Sequence, residues 1–428
     1  MNETNLCTIH EPDKLLLFIH DNLKPKNVEK KTRGEVFTPM QLVNEMLDTL
    51  PENVWTNPDL KWLDPAAGIG NFPIAIYMRL MECLKILIPD EEMRRKHILE
   101  KMLYMVELDE SNVFMMKKIL CGNNYKLNIF RGSFIEGNYV NIYNIKRTFD
   151  IIIGNPPYNG NGSTGNILWD SFIRTAFNYL KNNKYLLFVT PPLWRKPHGE
   201  KSKTNDLYKL MVLDNTLIYL EMHDMKDGIK IFKAGTRYDF YLIKKEKPNN
   251  FITIIKDTHN IENKMCLNKT TFIPNNNLKF IYKLLAKKGD EKVILLYNRE
   301  NDKKKKHIRE IKDNIYKYPI IYTTPLKEKV KYIYSSKKDE KSFFGISKVI
   351  IGETGYENSI IDYTGKYGTS QLSLGIKIDN ETHGKLLSIA LDSFEFKNIL
   401  FDTLLYSQFR LNRNIFNYLK KDFYKLFI

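Results

Sequence analysis

The stretch from Lys61 to Leu80 constrains this chain more than any other. Lys61-Trp62-Leu63 reads as a short apolar strand. It runs into Asp64-Pro65-Ala66-Ala67-Gly68-Ile69-Gly70-Asn71-Phe72, and an apolar run through Tyr77 and Leu80 follows at helical spacing. Strand, glycine turn and helix in that order open a doubly wound α/β sheet. Gly68 and Gly70 permit positive φ and a close backbone approach to a ligand, the following helix offers free amides, and Asp64 can accept from an amine. The turn lacks the third glycine of the dinucleotide fingerprint, so a plain structural turn and a site for another nucleotide both stay open at this point.

The rest of the first half continues the alternation. A charged helical stretch, 91–101, leads to a strand at 103–106 that stops at Glu107-Leu108-Asp109. Further strands are expected at 128–130, 149–153, 185–190 and 240–244, with a helix at 168–180, which implies a mostly parallel sheet. Helices at 13–24 and 41–50 precede the first strand, and Thr38-Pro39 reads as the cap and start of the second. A carboxylate at the tip of the second strand, Glu107, can accept both hydroxyls of a ribose; a solvated strand-end acid is the plain alternative. Punctuation thickens at Lys247-Pro248-Asn249-Asn250 and Asn275 to Asn277. The expected organisation is therefore an N-terminal helical segment at 1–30, a catalytic domain at 31–250 and a further domain at 276–428.

The segment with most chemistry is Asn155-Pro156-Pro157-Tyr158, directly after the apolar strand that ends at Gly154. Two consecutive prolines fix the backbone and remove two donors, so the loop presents carbonyls and a side-chain amide toward the crevice at the strand ends. Such a loop suits a planar amine whose lone pair is delocalised into a ring. The Asn155 side-chain oxygen and the Pro156 carbonyl can each accept one N–H, which localises the lone pair on nitrogen. Tyr158 supplies an aromatic face for a planar ring. A rigid proline turn with a packed tyrosine is the structural alternative.

These motifs together resemble the amino-methyltransferases of restriction–modification systems that modify adenine at N6, specifically the gamma class. There the cofactor motifs precede the catalytic motif and a target-recognition domain follows, as here. Gly34-Glu35-Val36-Phe37-Thr38-Pro39 is similar to the family's N-terminal motif, Asp64 to Phe72 to its cofactor loop, Val106 to Asp109 to its ribose motif and Asn155 to Tyr158 to its catalytic tetrapeptide. The resemblance implies a Rossmann-like S-adenosylmethionine-dependent methyltransferase domain with a C-terminal α+β target-recognition domain. It implies S-adenosyl-L-methionine without a metal, and double-stranded DNA from which the target adenine is flipped out. Asn155, Pro156, Pro157 and Tyr158 would be catalytic. Thr38, Pro39, Asp64, Ala66, Gly68, Gly70, Glu107, Ser133 and Asn155 would bind cofactor, and Tyr158 and Phe232 would hold the base. Phe232 enters because Ile231 to Thr236 resembles the loop whose aromatic residue packs on the base from its other face; an ordinary core phenylalanine is the alternative. Two departures stand out. Ser133 occupies the place of an aspartate that holds the cofactor adenine, and Asn71 stands where many relatives have glycine.

Composition agrees with such a partner without requiring it. The 428 residues carry a formal net charge of +16, which favours a polyanion. A lysine run such as Lys303 to Lys306 is nevertheless also a normal solvated face. Among the C-terminal lysines, Tyr332 and Tyr334 interleave within 327–338, and Gly365 to Ser370 forms a glycine-rich loop; both suit phosphate contact, and equally an ordinary surface. Cys7, Cys83, Cys121 and Cys266 are isolated, with neither disulfide nor zinc spacing. Asp339, Glu340 and Glu353 lack a partner motif for a nuclease metal site. Apolar runs are too short to span a bilayer, and Met1 to Pro12 does not read as a secretory signal, so a cytoplasmic monomer is expected. Competing readings are methylation of an RNA adenine or another planar amine, and a non-catalytic DNA-binding subunit that keeps the fold.

Overall fold

A computed structural model describes residues 9–10, 38–121, 123–136, 148–159, 167–197, 205–325, 327–338, 340–404 and 413–428. The expected helix at 13–24, most of the segment at 1–30, residues 34–37 and Asp339 lie outside them. The chain divides into two compact units: Met1–Trp194 with Lys203–Thr270, and Arg195–Ser202 with Thr271–Ile428.

The first unit is built on one nine-stranded sheet. Its strands are β1 (Trp62–Asp64), β2 (Leu103–Glu107), β3 (Asn128–Arg131), β4 (Phe149–Gly154), β5 (Leu180–Thr190), β6 (Thr216–His223), β7 (Tyr238–Lys244), β8 (Ile252–Lys256) and β9 (Glu262–Cys266). They lie in the order β3-β2-β1-β4-β5-β7-β6-β8-β9. Strands β3, β2, β1, β4 and β5 are mutually parallel, whereas β7 enters antiparallel between β5 and β6. The helices include α1 (Met40–Leu47), α2 (Asn71–Cys83), α3 (Glu91–His97), α4 (Glu110–Ile119), α5 (Trp169–Tyr179) and α6 (Met225–Phe232).

Apolar runs dictate this layering. β2 and β4 are buried along their whole length, as strands covered on both faces must be. Leu42, Val43, Met46 and Leu47 of α1 and Phe72 to Tyr77 of α2 share one core with Trp62, Met105 and Ile151. Asp150 stitches the centre: its buried carboxylate accepts the Lys61 amide at 3.0 Å and pairs with Lys181 at 2.8 Å and Lys184 at 3.2 Å. Burial alone would raise its pKa, yet those two lysines and the amide bring it below the ordinary value.

The sheet does not stop at residue 250. Thr253 and Ile255 of β8 are buried, and the Thr253 hydroxyl donates to the Leu217 carbonyl at 2.7 Å. The first unit consequently runs to Thr270, past the boundary read from the Lys247–Asn250 punctuation, because that turn leads into two more strands of the same sheet.

The second unit holds two four-stranded sheets. One has the order β10 (Leu295–Leu296), β17 (Ser373–Lys377), β14 (Lys348–Gly352) and β15 (Ile360–Asp362); the other has β11 (Ile308–Arg309), β13 (Lys331–Ser335), β12 (Tyr318–Thr323) and β16 (Gly368–Thr369). With α7 (Leu278–Leu284), α8 (Glu381–Asp392) and α9 (Phe394–Leu404) this unit is α+β. Val349, Ile351, Leu374 and Ile376 pack with Leu387 and Leu391 of α8 in one core, and Ile308, Ile320, Ile333 and Phe344 form a smaller one.

Candidate active site

Strand order in the first unit reverses between β1 and β4, so their carboxyl ends flank the crevice where ligands of doubly wound sheets bind. Three loops with chemistry leave that edge: the glycine turn after β1, Glu107 at the end of β2 and Asn155 to Tyr158 after β4.

Asp64 closes β1 and is 2% exposed. Its Oδ1 accepts the Ala66 amide at 3.1 Å, while its Oδ2 is buried with no hydrogen-bond partner among the described residues. Burial, only partly offset by the Ala66 amide and reinforced by nearby Glu107, pushes its pKa up to about 8. A buried carboxyl in that condition ionises readily only when a cationic donor is placed beside it, which makes it a site for such a donor. The turn itself is left-handed at Gly68 (φ 55°) and Gly70 (φ 102°), and Gly70 caps α2. No atom lies within 4 Å of where a Cβ on Gly68 would stand, so the backbone there faces open space.

Glu107 does more than end a strand. Its Oε2 accepts the Gly68 amide at 2.7 Å and its Oε1 the Asp109 amide at 2.7 Å, so it holds the glycine turn in shape. Burial raises its pKa against the pull of those amides. Oε2 keeps a second lone pair for a hydroxyl, whereas Oε1 also receives the Asn112 side-chain amide at 3.5 Å. The loop after β3 is tied to the same residue, since the Gly132 amide donates to the Glu107 carbonyl at 3.0 Å; Ser133 follows, half-buried, its hydroxyl accepting the Glu136 amide at 3.4 Å.

Thr38 was expected to cap the helix at 41–50. The helix N-cap is instead Pro39, with no side-chain cap, and the buried Thr38 hydroxyl accepts from Asn155 Nδ2 at 3.0 Å. The Thr38 carbonyl in turn accepts from Asn71 Nδ2 at 2.8 Å. Asn71, noted in the sequence only as a departure from glycine, thus ties the Thr38 segment to the start of α2. Through Thr38 the two ends of the site, 117 residues apart, are joined.

Pro156 is buried and Pro157 half-buried. Tyr158 is 9% exposed, and its hydroxyl has no partner among the described residues. Burial first, and then Tyr238, Asp239 and Tyr241 of β7, hold its phenol protonated well above the ordinary range. β7 is therefore the wall against which the tetrapeptide sits, a role no motif in the sequence signals. Phe232, at the end of α6, is buried and meets Tyr238 edge-on at 4.8 Å; of this short helix Gly228 and Phe232 turn into the core, while Met225 and Ile229 stay exposed. Tyr238 also stacks on His223 at 4.3 Å. The structure thus brings together Thr38, Pro39, Asp64, Ala66, Gly68, Gly70, Glu107 and Asn155 and places Ser133 beside them, but it sets Phe232 behind Tyr238. Among the described residues no three His, Cys, Asp or Glu side chains cluster as metal ligands, and none of the helices is long and apolar enough to cross a membrane.

This sheet order, with its three strand-end loops, is that of the α/β class I fold of S-adenosylmethionine-dependent methyltransferases. Residues 23–191 match the family model described as N-6 DNA Methylase. It is 27% identical to an uncharacterized adenine-specific methylase of Mycoplasma pneumoniae, over 50% of this chain and 70% of that one. Among solved structures it is similar to the Type IIL restriction-modification enzyme MmeI in complex with DNA, with a TM-score of 0.56 at 13% identity over 96% of this chain and 70% of that one. A second is the M protein of the Type I restriction enzyme EcoKI, with a TM-score of 0.41 at 15% identity; 59% of this chain and 59% of that chain are covered.

Proposed function

We propose that this protein is a site-specific DNA adenine-N6 methyltransferase that acts on an adenine flipped out of the duplex. One observation carries the reading: Asn155, at the end of β4, has its amide nitrogen held by Thr38 beside a glycine turn whose Asp64 keeps a buried acceptor open.

The residues of the turn fit S-adenosylmethionine. Asp64 Oδ2 would take its ammonium, the backbone from Ala66 to Gly70 would lie against it, Glu107 would accept its ribose hydroxyls, Ser133 its adenine amine, and Thr38-Pro39 would touch its methionine part. When bound, this cofactor supplies an electrophilic methyl on a sulfonium. The protein's own task is to prepare the nucleophile. With Nδ2 committed to Thr38, the planar Asn155 amide turns Oδ1 the other way, where it and the Pro156 carbonyl accept the two N–H groups of adenine. Those acceptors draw the lone pair out of the ring and fix the amine in one orientation. Tyr158 offers the ring face that replaces lost base stacking, and Phe232 backs that wall through Tyr238.

The test is transfer of radiolabelled methyl from S-adenosylmethionine to unmethylated duplex DNA, with RNA and protein as parallel acceptors, followed by nucleoside analysis. N6-methyladenine in DNA is the expected product. Label in RNA or protein instead would overturn the substrate, and no label in any acceptor would overturn the activity.

A further inference from the structure

Two stretches of the second unit that are far apart in sequence meet on one sheet face. On β13, Tyr332 and Tyr334 point away from the core residues Ile308, Ile320 and Ile333. Tyr334 pairs with Arg309 of β11, and Tyr332 pairs with Ile321 of β12, which pairs in turn with Thr369 of β16. Tyr367, two residues before Thr369, brings its ring to 5.8 Å from that of Tyr332, which is 37% exposed. Arg309, Tyr334, Tyr332, Tyr367 and Lys366 therefore form a strip that runs from β11 and β13, past the buried Ile321 of β12, to the loop before β16. At ordinary strand spacing it is roughly 14 Å wide, a length over which one strand of a duplex carries about four phosphates.

The cations at its two ends differ from two of their neighbours. Lys331 is neutralised by Glu328 at 2.6 Å, and Lys303 by Glu310. Arg309 and Lys366 are exposed and make no ion pair among the described residues. Each lies over a ring instead, Arg309 over Tyr316 at 5.0 Å and Lys366 over Tyr367 at 5.3 Å. An aromatic face orients a cation without cancelling its charge.

The loop that carries Lys366 and Tyr367 is rigidly built. Lys348 is fully buried, and its ammonium donates to Asp362 Oδ2 and to the carbonyls of Phe343 and Ile346, all at 3.0 Å. Asp362 in turn accepts the amides of Lys366 at 2.8 Å and Tyr367 at 2.9 Å. Gly365 adopts φ 69°, and a Cβ there would lie 2.4 Å from the Gly345 backbone. A buried ion pair is costly to desolvate and contributes little net stability. Here it fixes two loops, and a loop fixed before binding loses less entropy on binding.

We propose that this strip is a phosphate-contacting surface for duplex DNA: Arg309 and Lys366 pair with backbone phosphates, and the tyrosine hydroxyls donate to neighbouring phosphate oxygens. The proposal rests on the DNA substrate argued above, and it assigns part of that substrate's contact to the second unit. The experiment measures binding of a mixed-sequence duplex by fluorescence anisotropy from 50 to 300 mM salt, in parallel with methyl transfer. The double variant Arg309→Ala with Lys366→Ala should bind roughly tenfold more weakly at 0.1 M salt, with a log–log salt slope shallower by about two. Lys366→Arg should restore part of the loss. Unchanged circular dichroism and cofactor affinity in the double variant show that it is folded. An unaltered affinity and slope overturns the proposal, as does a loss confined to single strands or RNA. Failure of the two readings is separable. Wild-type protein that binds duplex with the expected variant loss but transfers no methyl removes the activity and leaves the surface. Methyl transfer with an unaltered KM for DNA in the double variant does the reverse.

Discussion

Asn155 is useful to an amine only if its oxygen, and not its nitrogen, faces the substrate, and the contact with Thr38 decides which it is. Asn155→Ala should therefore lower the rate of methyl transfer by about 10²-fold or more while cofactor affinity changes by a few-fold at most. Single-turnover kinetics alongside calorimetric binding separates the two, and a loss confined to binding would refute the catalytic role. Asp64 makes a different prediction. Its carboxyl stays protonated in the folded protein until about pH 8, whereas in the unfolded chain it ionises near 3.8. The unfolded state thus releases its proton first, so the stability contribution is full below pH 3.8 and falls as pH rises through that window. Asp64→Asn abolishes the dependence: without cofactor its Tm should gain on that of the wild type steadily from pH 4 to pH 8. Parallel Tm curves across this range would mean that Asp64 is ionised in the folded state. The contact between Thr38 and Asn155 was not legible in the sequence. The motifs around Asn155 and Asp64 state which groups are present, but the Thr38 hydroxyl reads locally as a helix cap, and only the fold carries it to Asn155.

Elements were more legible than their contacts. β1 to β4 and α5 fall within a residue or so of their expected positions because apolar runs bounded by charge and glycine leave few alternatives. β5 begins at Leu180, ahead of the expected 185, since Lys181-Asn182-Asn183-Lys184 has no apolar pattern: it forms an irregularity opposite β4, with Asn183 at φ 62° and with Lys181 and Lys184 paired to the Asp150 carboxylate. Helix α3 ends at His97 and passes into a wider turn at Ile98–Met102, a change that periodicity over 91–101 does not signal. How closely β1 and β4 approach is likewise invisible in sequence, and it has a consequence at Gly154. A Cβ there would stand 2.9 Å from Asp64 Oδ1 and 3.4 Å from Pro65 Cδ. Gly154→Ala should push the Asp64 side chain aside and weaken cofactor binding by at least tenfold, with the far-UV spectrum retained. Calorimetric titration reads this directly; wild-type affinity in the folded variant would mean that Asp64 does not hold the cofactor.

The molecule divides where its sheet ends, not where its composition changes. Asparagine and proline at 247–250 look like a linker, yet in the structure they are the turn from β7 into β8, and a turn inside a sheet draws on the same residues as a turn between domains. β8 covers the outer edge of β6: Ile255 is fully buried, Lys256 pairs with Glu221 at 2.8 Å, and the Asp257 side chain shapes the following turn by accepting the amides of His259 and Ile261. A chain cut after Asn250 would leave β6 as an open edge and forfeit burial worth roughly 1.5–3 kcal/mol for Ile255 alone. For a domain of this size that corresponds to a Tm lower by roughly 3–12 °C, at about 2–4 °C per kcal/mol. A chain cut after Thr270 keeps all nine strands and every residue proposed to hold the cofactor. It should remain monodisperse and bind S-adenosylmethionine with near-wild-type affinity while losing the affinity for duplex DNA that the second unit contributes. Light scattering, thermal melts and cofactor titration of the two truncations decide the matter. Equal stability of both would show that β8 and β9 are an appendage to the fold, and loss of cofactor binding in the longer one would show that the site depends on residues beyond the first unit.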